Sequence, residues 1–250
     1  MKTYRLTVAY DGTRYLGWQK LGEPGSKDYE RTIQGKLEAI LSKMTGETVE
    51  VNGSGRTDAG VHAEGQVASF KTSFETNEKR ILDYVNHFLP EDIAVTDCRE
   101  APERFHARLN AKAKTYRYTI RNSARPDPFR QRFEYRYEGS LDLDEMRRAA
   151  AYFVGEHDFR GFCSSRRTKK STVRTVYSIE IRREGDRIDL FFRGNGFLYN
   201  MVRIQVGTLI EVGRGDRRPE DIPPLLDAGA RAEVGYTAPA KGLTLINVEY

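Results

Sequence analysis

The chain has 250 residues, of which 38% are hydrophobic and 31% are charged, and its formal net charge is +5. This composition is typical of a globular protein with a well-solvated surface, folded as one large domain or as two smaller ones. No apolar run approaches the length of a membrane span, and an alternating strand pattern follows Met1 directly. We therefore expect no signal peptide, no membrane anchor and a cytoplasmic protein. The two cysteines, Cys98 and Cys163, lie outside any CxxC or Cys/His cluster, so we expect neither a disulfide framework nor a structural zinc site.

The first half of the chain has the hydrophobic periodicity of a β-α-β-β-α-β unit. We predict strands at residues 3–10, 48–51, 66–72 and 93–97, and helices at residues 33–44 and 77–89. Thr32 is expected to cap the first helix and Gly46 to end it, while Asn77 caps the second helix and Pro90 stops it.

The second half repeats this order of elements. The pattern predicts strands at residues 114–120, 172–181, 188–192 and 243–248, and helices at residues 143–153 and 197–212, with a short extra helix at residues 218–226. The first strands of the two halves also have similar sequences. We therefore predict an α+β fold with two ferredoxin-like halves, residues 1–105 and 106–250, whose mainly antiparallel sheets surround a central cleft that binds the ligand.

A glycine-rich segment at residues 52–63, NGSGRTDAGVHA, is the strongest candidate for a catalytic loop. Its glycines allow sharp turns and close approach by a ligand, which would leave Asp58 at an open tip. Arg56 lies two residues earlier, so in an extended segment it points to the same side and keeps the carboxylate ionised. An ionised aspartate can act as a nucleophile or as a base. The loop alone fits a glycine-rich connection between strands equally well.

Basic residues cluster with aromatic residues in two places. One cluster is Arg166–Lys170, and the other runs from Arg104 through Arg108 to Lys114, followed by a stretch in which arginines alternate with Phe and Tyr up to residue 137. Each cluster alone fits a solvated basic face, but together with the glycine loop they favour RNA as the partner.

Other polar and aromatic residues have simpler interpretations. The four histidines show no metal-ligand spacing, so we predict no metal site; His62 and His106 could contact RNA, although structural hydrogen bonding is the commoner role. Trp18 is expected to pack in the core and Asp11 to stabilise a turn. Residues 21–28 form a long connection that is either a binding element or a tolerated insertion.

Several motifs together resemble one enzyme family. They are YDGT at residues 10–13, YLGWQ at 15–19, GRTDAGVH at 55–62, FHAR at 105–108, YRY at 116–118 and MVR at 201–203. Their order and spacing over nearly the whole chain are similar to those of bacterial tRNA pseudouridine synthase A. The resemblance implies a pseudouridine synthase fold and an isomerase that needs no cofactor or metal. It also implies a homodimer that converts uridine to pseudouridine at tRNA positions thirty-eight to forty, in the anticodon stem and loop.

The resemblance also assigns roles to individual residues. Asp58 matches the catalytic nucleophile and Arg56 its neighbouring arginine, while Tyr116 matches the tyrosine that packs on the target base. Arg203 matches the basic residue that pairs with the aspartate, although an arginine flanking an apolar helix face most often extends to solvent. His106 and Arg108 belong to the motif that we expect to bind substrate. The chain differs from shorter members of the family at residues 21–28, which look expanded.

The chemistry of uridine isomerisation agrees with these roles. The N1–C1′ bond must break, a C5–C1′ bond must form and the C5 proton must leave, with no oxidation and no donated group. Asp58 could attack C1′ or abstract the C2′ proton, and both routes stay open. Tyr116 offers a flat face for a flipped uracil and a phenol that could accept the C5 proton. The alternatives are an RNA-binding module without catalysis and a phosphate-binding hydrolase, although the chain lacks the Walker lysine pattern.

Overall fold

The computed structural model describes residues 1–165 and 171–250. Two compact units make up the chain: the first contains Met1–Lys112 and Leu245–Tyr250, and the second contains Ala113–Thr244. Within these described residues, no helix has both the length and the apolar character needed to cross a membrane.

The first unit is an antiparallel sheet with helices. Its elements are β1 (Lys2–Tyr10), α1 (Lys27–Glu30), α2 (Ile33–Thr45), β2 (Asn52–Gly53), β3 (His62–Thr72), α3 (Glu78–Phe88) and β4 (Ile93–Ala101). Strand β1 pairs antiparallel with both β3 and β4, and β2 pairs with β3. The resulting order β4-β1-β3-β2 is the one expected for a ferredoxin-like β-α-β-β-α-β unit, so the predicted order of elements in this half is confirmed.

Helix α2 has the predicted ends. The Thr32 side chain accepts a hydrogen bond from the backbone N–H of Gly35, and Gly46 follows the helix in the left-handed region with φ of 71°. One face of the helix buries Ile33, Leu37 and Leu41. Asn77 caps α3 in the same way, through Arg80 N–H.

The predicted strand at residues 48–51 is wrong, because side chains of α2 take the backbone groups that a neighbouring strand would have taken. The Val51 N–H donates to Glu38 Oε1 at 3.1 Å, and Gln34 Nε2 donates to the Val51 carbonyl at 3.0 Å. The hydroxyl of Ser42 accepts from Val49 N–H at 2.9 Å. The ladder therefore begins only at Asn52.

The second unit has a larger set of elements. They are β5 (Ala113–Asn122), β6 (Tyr135–Tyr137), α4 (Leu143–Tyr152), β7 (Gly155–Asp158), β8 (Val173–Glu184), β9 (Arg187–Gly194), α5 (Met201–Gly213), α6 (Ile222–Ala228) and the start of β10 (Leu243–Glu249), whose remaining residues belong to the first unit. Antiparallel pairing gives the order β5-β9-β8-β7, and β6 lies parallel to β5. Strands β6 and β7 are short and were not predicted.

Helix α5 begins at Met201, four residues after the predicted start at Phe197. The reason is Asn200, whose left-handed backbone (φ of 62°) cannot continue a right-handed helix. The α+β class with mainly antiparallel strands is confirmed. The cleft and the boundary between residues 105 and 106 stay predictions.

Candidate active site

Asp58 lies in the connection between β2 and β3, in the first unit, and is partly exposed. The preceding residue, Thr57, is buried and anchors this connection to two other segments. Its hydroxyl shares a 2.8 Å hydrogen bond with the phenol of Tyr10, and its carbonyl accepts the Trp18 N–H at 3.0 Å. Burial raises the pKa of Tyr10 to about 12, so this phenol stays neutral near pH 7. Asp58 is therefore held from its N-terminal side by buried contacts.

Two glycines from the YDGT and YLGWQ motifs allow these segments to approach the loop. A Cβ on Gly17 would lie 2.5 Å from the Thr57 carbonyl oxygen, and the residue has φ of 104°. A Cβ on Gly12 would lie 2.0 Å from the Val61 carbonyl oxygen. Only glycine fits at both positions. Sequence reasoning missed this supporting role, although the glycines in the two motifs were a usable signal.

Buried polar groups support the loop from the β3 side. Gln66 is fully buried, and its amide accepts from the Ser54 hydroxyl at 2.7 Å and donates to the Gly55 carbonyl at 3.0 Å. The Ser54 N–H donates to the Val67 carbonyl at 2.7 Å. Since buried hydrogen-bonded networks rigidify their surroundings, the part of the loop that precedes Asp58 is fixed, with Arg56 exposed and Asp58 partly exposed.

His62 is buried and holds the turn before the YLGWQ motif. Its Nδ1 accepts from the Gly12 N–H at 3.0 Å, and the Asp11 carboxylate lies 3.2 Å from the same nitrogen. Asp11 also accepts from the Thr13 N–H at 2.9 Å. The structural interpretation of His62 and the turn interpretation of Asp11 are confirmed. Trp18 is only 3% exposed and packs against Gly53, as predicted.

The FHAR motif forms a turn anchored on β3. The N–H of buried Ala107 donates to Ser69 Oγ at 3.1 Å. His106 Nδ1 accepts from the Arg108 N–H at 3.1 Å, and the Arg108 side chain is exposed. The structure thus gives His106 a local structural bond and leaves Arg108 at the surface. Their contact with RNA stays a prediction.

In the second unit, Tyr116 lies on β5 and is only 8% exposed. Its ring and that of Phe197 form a T-shaped pair, with ring centroids 5.4 Å apart and an interplanar angle of 87°. Such an edge-to-face pair fixes the plane of the tyrosine ring. The packing of Tyr116 on a target base stays a prediction.

Arg203 lies in the first turn of α5 and is held by neighbours on two sides. Its Nε donates to the Ala238 carbonyl at 2.7 Å, and its Nη1 donates to Asn200 Oδ1 at 2.8 Å. The Ala238 N–H in turn donates to the Arg203 carbonyl at 3.1 Å. The side chain is therefore bound to protein groups, unlike an arginine that simply extends to solvent. Sequence reasoning missed Asn200 and Ala238, because neither position has a distinctive motif.

The described residues contain no group of three or more His, Cys, Asp or Glu side chains arranged to hold a metal ion.

The predicted basic cluster at Arg166–Lys170 lies outside the described residues. Asp58 and Arg56 belong to the first unit, and Tyr116 and Arg203 belong to the second. The pairing of Arg56 or Arg203 with Asp58 stays a prediction.

Comparison with known proteins identifies similar chains. A family model described as tRNA pseudouridine synthase matches residues 6–110 and 149–250, which include the Asp58 loop and α5. The chain is 47% identical over 250 residues to tRNA pseudouridine synthase A of Bacillus sp. strain KSM-64, covering 100% of both chains. It is 46% identical to tRNA pseudouridine synthase A of Brevibacillus brevis, again with 100% coverage of both. A chain in the crystal structure of a Cbf5-Nop10-Gar1 complex aligns with 82% of this chain and 54% of its own length, at a TM-score of 0.36 and 15% identity.

Proposed function

We propose that this chain converts the uridines at positions thirty-eight to forty, in the anticodon stem and loop of tRNA, to pseudouridine. The chain belongs to the tRNA pseudouridine synthase family, whose members are isomerases acting on uridine in tRNA. The observation that supports catalysis most directly is the loop of Asp58. Buried bonds hold Thr57 immediately before it, and glycines at the contact points admit no other side chain. A non-catalytic RNA-binding module has no use for such a carboxylate, because the negative charge of Asp58 would repel the RNA phosphates.

We propose Asp58 as the nucleophile toward the ribose. The atom balance of the reaction is closed within the substrate: the N1–C1′ bond breaks, the base turns, the C5–C1′ bond forms, and the C5 proton leaves while N1 regains one. No oxidant, reductant or group donor is consumed, so no cofactor is required. Attack at C1′ and abstraction of the C2′ proton both use an ionised carboxylate, and Arg56 would favour that charged form.

We propose that Tyr116 packs on the target base and that Arg203 stabilises the charged form of Asp58. The ring of Tyr116 is fixed by Phe197, which supports stacking on a flipped uracil. Arg203 has a guanidinium held by Ala238 and Asn200, and arginine stays protonated in surroundings where lysine can lose its proton.

The tRNA is expected to bind through basic residues such as Arg108, which is exposed, together with His106 and the cluster Arg166–Lys170. We further propose that the enzyme is a cytoplasmic homodimer, as the resemblance to the bacterial family implies. The dimer is testable by light scattering coupled to size-exclusion chromatography, where a single species of twice the chain mass of 28.6 kDa is expected. A monomer at micromolar concentration would refute this part of the proposal.

Carbodiimide mapping of unmodified tRNA provides the decisive experiment. The purified protein should introduce pseudouridine at positions thirty-eight to forty and leave a tRNA with cytidine at these positions unmodified. EDTA should leave the turnover intact, provided that the RNA is folded beforehand. Pseudouridine only at other positions would refute the proposed site specificity, and its complete absence would refute the proposed activity.

A further inference from the structure

Asn200 has an unusual backbone conformation at the start of α5. Among the residues that the structure describes, it is the single non-glycine residue with a positive φ, at 62° with ψ of 5°. This left-handed region is unfavourable for residues that carry a side chain, and Asn and Asp tolerate it best among them. Residues held in this way are enriched at functional sites, so the role of the Asn200 side chain calls for an explanation.

The Asn200 side chain does not cap the helix that it precedes, although asparagine is a favoured N-cap residue. Instead, its Oδ1 accepts a hydrogen bond from Arg203 Nη1 at 2.8 Å, and its Nδ2 donates to Ser164 Oγ at 3.0 Å. Both functional groups of the amide are therefore used away from the helix backbone.

Ser164 is itself fixed to the same corner of the second unit. Its N–H donates to the Tyr199 carbonyl at 3.2 Å, directly before Asn200. The side chains of Ser164, Asn200 and Arg203 thus form one continuous hydrogen-bonded chain. Each member sets the orientation of the next, and the last member is the arginine assigned to the reaction.

Arg203 donates a second hydrogen bond, to Ala238, from a different guanidinium nitrogen. Nε donates to the Ala238 carbonyl at 2.7 Å, which holds the guanidinium at one point. The bond from Nη1 to Asn200 Oδ1 supplies a second fixed point and so defines the plane of the guanidinium. An arginine that stabilises a charge must be held in its working orientation before the reaction.

We propose that Asn200 is a positioning residue for the isomerisation: its side chain, itself oriented by Ser164, fixes the Arg203 guanidinium in the plane used during catalysis. The proposal rests on the proposed function and on the role of Arg203 in it. The left-handed backbone at Asn200 is part of the device, because it turns the amide toward Arg203 and away from the helix N-terminus.

Two substitutions of Asn200 separate the side chain from the backbone. Asn200→Gly keeps the left-handed conformation without strain but removes the amide. Asn200→Asp also tolerates this conformation and keeps an acceptor for Arg203, and the Ser164 hydroxyl can rotate to donate to the new carboxylate. Ser164→Ala removes the outer bond, and Ser165→Ala is the matched control, because Ser165 is exposed and lies next in sequence.

Each variant is assayed for kcat and KM with unmodified tRNA and for thermal unfolding. Asn200→Gly should lower kcat about tenfold with KM and Tm close to the wild type, since small errors of orientation cost rate and not binding. Asn200→Asp should retain kcat within about twofold, Ser164→Ala should lose about threefold, and Ser165→Ala should match the wild type. In an Arg203→Ala background, Asn200→Gly should have no further effect, because its action passes through Arg203.

The outcomes that overturn the proposal are distinct from those that overturn the function. A wild-type kcat in Asn200→Gly, alongside a defective Arg203→Ala, refutes the positioning role and leaves the activity standing. A lowered Tm with unchanged kcat per folded molecule also refutes it and assigns Asn200 to stability. An additive loss in the double variant refutes the route through Arg203. If the wild-type protein forms no pseudouridine, the proposed function fails.

Discussion

The phenol of Tyr10 and the hydroxyl of Thr57 share a buried hydrogen bond of 2.8 Å, one residue before Asp58. This bond ties the end of β1 to the candidate catalytic loop. Because Thr57 is also bound through its carbonyl by Trp18, the backbone entering Asp58 is fixed by contacts from two segments. Loss of either contact should therefore affect the rate of the reaction as well as the stability of the fold.

We expect Tyr10→Phe to lower the free energy of unfolding by about 1 kcal/mol and kcat several-fold, because the buried Thr57 hydroxyl loses its partner. Tyr4→Phe is the matched control. Tyr4 lies on the same strand and donates to the Thr76 carbonyl at 3.0 Å, away from the loop. Urea unfolding should show a similar loss for both variants, whereas only Tyr10→Phe should slow turnover. Equal kcat values for the two would mean that the Thr57 bond has no part in holding Asp58.

A second prediction concerns the close contact between Gly17 and the loop. Gly17→Ala places a Cβ 2.5 Å from the Thr57 carbonyl oxygen and 3.1 Å from the carbonyl carbon of Asp58. We expect this backbone contact to displace the loop and reduce kcat at least about tenfold. Gly25→Ala provides the control, because Gly25 also has a positive φ, of 83°, yet nothing lies within 4 Å of its Cβ position. Both variants carry the cost of a left-handed alanine, so a difference in kcat between them isolates the contact with Thr57. Equal activity would contradict this account.

The elements that could be predicted from sequence are those whose signals are local. Helix α2 has an apolar face, a capping Thr32 and a terminating Gly46 within one continuous stretch, and all three appear as expected. The strand predicted at residues 48–51 was wrong because Glu38 and Gln34 bind the backbone of Val51. These two side chains lie on α2, 13 and 17 residues before Val51 in the sequence. Such side-chain hydrogen bonds depend on tertiary structure, so the alternation of apolar and polar residues in the sequence does not indicate them.

The same division applies to the candidate site. Asp58 could be proposed as a candidate because glycines and an arginine surround it within a few residues. Its supports, Gly12 and Gly17, come from a segment about forty residues earlier, and their contacts exist only after β1 and β3 have paired. The bond from Arg203 to Asn200 was hidden for a different reason. The sequence pattern predicted Asn200 as part of a continuous helix. In the structure its backbone is left-handed, and its amide accepts a hydrogen bond from Arg203.

A third prediction follows from desolvated tyrosines. Burial raises the pKa of Tyr10 to about 12, and burial with the neighbouring Glu38 carboxylate raises that of Tyr29 to about 12. The unfolded chain loses these protons near pH 10, whereas the folded protein retains them to about pH 12. Between these values the folded state binds more protons, so its stability is complete below pH 10 and falls as the pH rises.

Urea unfolding at about pH 9, 10 and 11, followed by fluorescence, tests this pH dependence. The unfolding midpoint should decrease progressively over this range, and tyrosinate absorbance near 295 nm should increase together with unfolding. Tyr10→Phe should flatten part of the decrease, because one of the groups responsible is gone. A midpoint that stays constant from pH 9 to 11 would contradict the burial effect.

A fourth prediction addresses the phenol of Tyr116. Tyr116→Phe keeps the ring and its edge contact with Phe197 at 5.4 Å, so tRNA affinity should stay within about twofold. If the phenol takes part in removing the C5 proton, release of tritium from C5-labelled tRNA should fall by at least about tenfold. Turnover equal to the wild type would restrict Tyr116 to packing on the base.

The last prediction concerns Asp58 itself. Asp58→Asn keeps the size of the side chain and removes the charge that both routes at the ribose require. Because the side chain is partly exposed and not part of the apolar core, the free energy of unfolding should change by less than about 1 kcal/mol. The loss of one negative charge facing RNA should leave tRNA binding equal or slightly tighter.

Catalysis by Asp58→Asn should be undetectable by carbodiimide mapping, while filter binding still shows a complex with tRNA. Asp83→Asn serves as the control, since this carboxylate lies on α3 with a side chain that is 61% exposed and paired with Lys79; it should keep the wild-type rate. Both proteins are checked by mass spectrometry, because deamidation of the introduced asparagine would regenerate aspartate. Turnover by Asp58→Asn without deamidation would show that no charge at this position is needed, and the nucleophile would then have to be sought elsewhere in the loop or its neighbours.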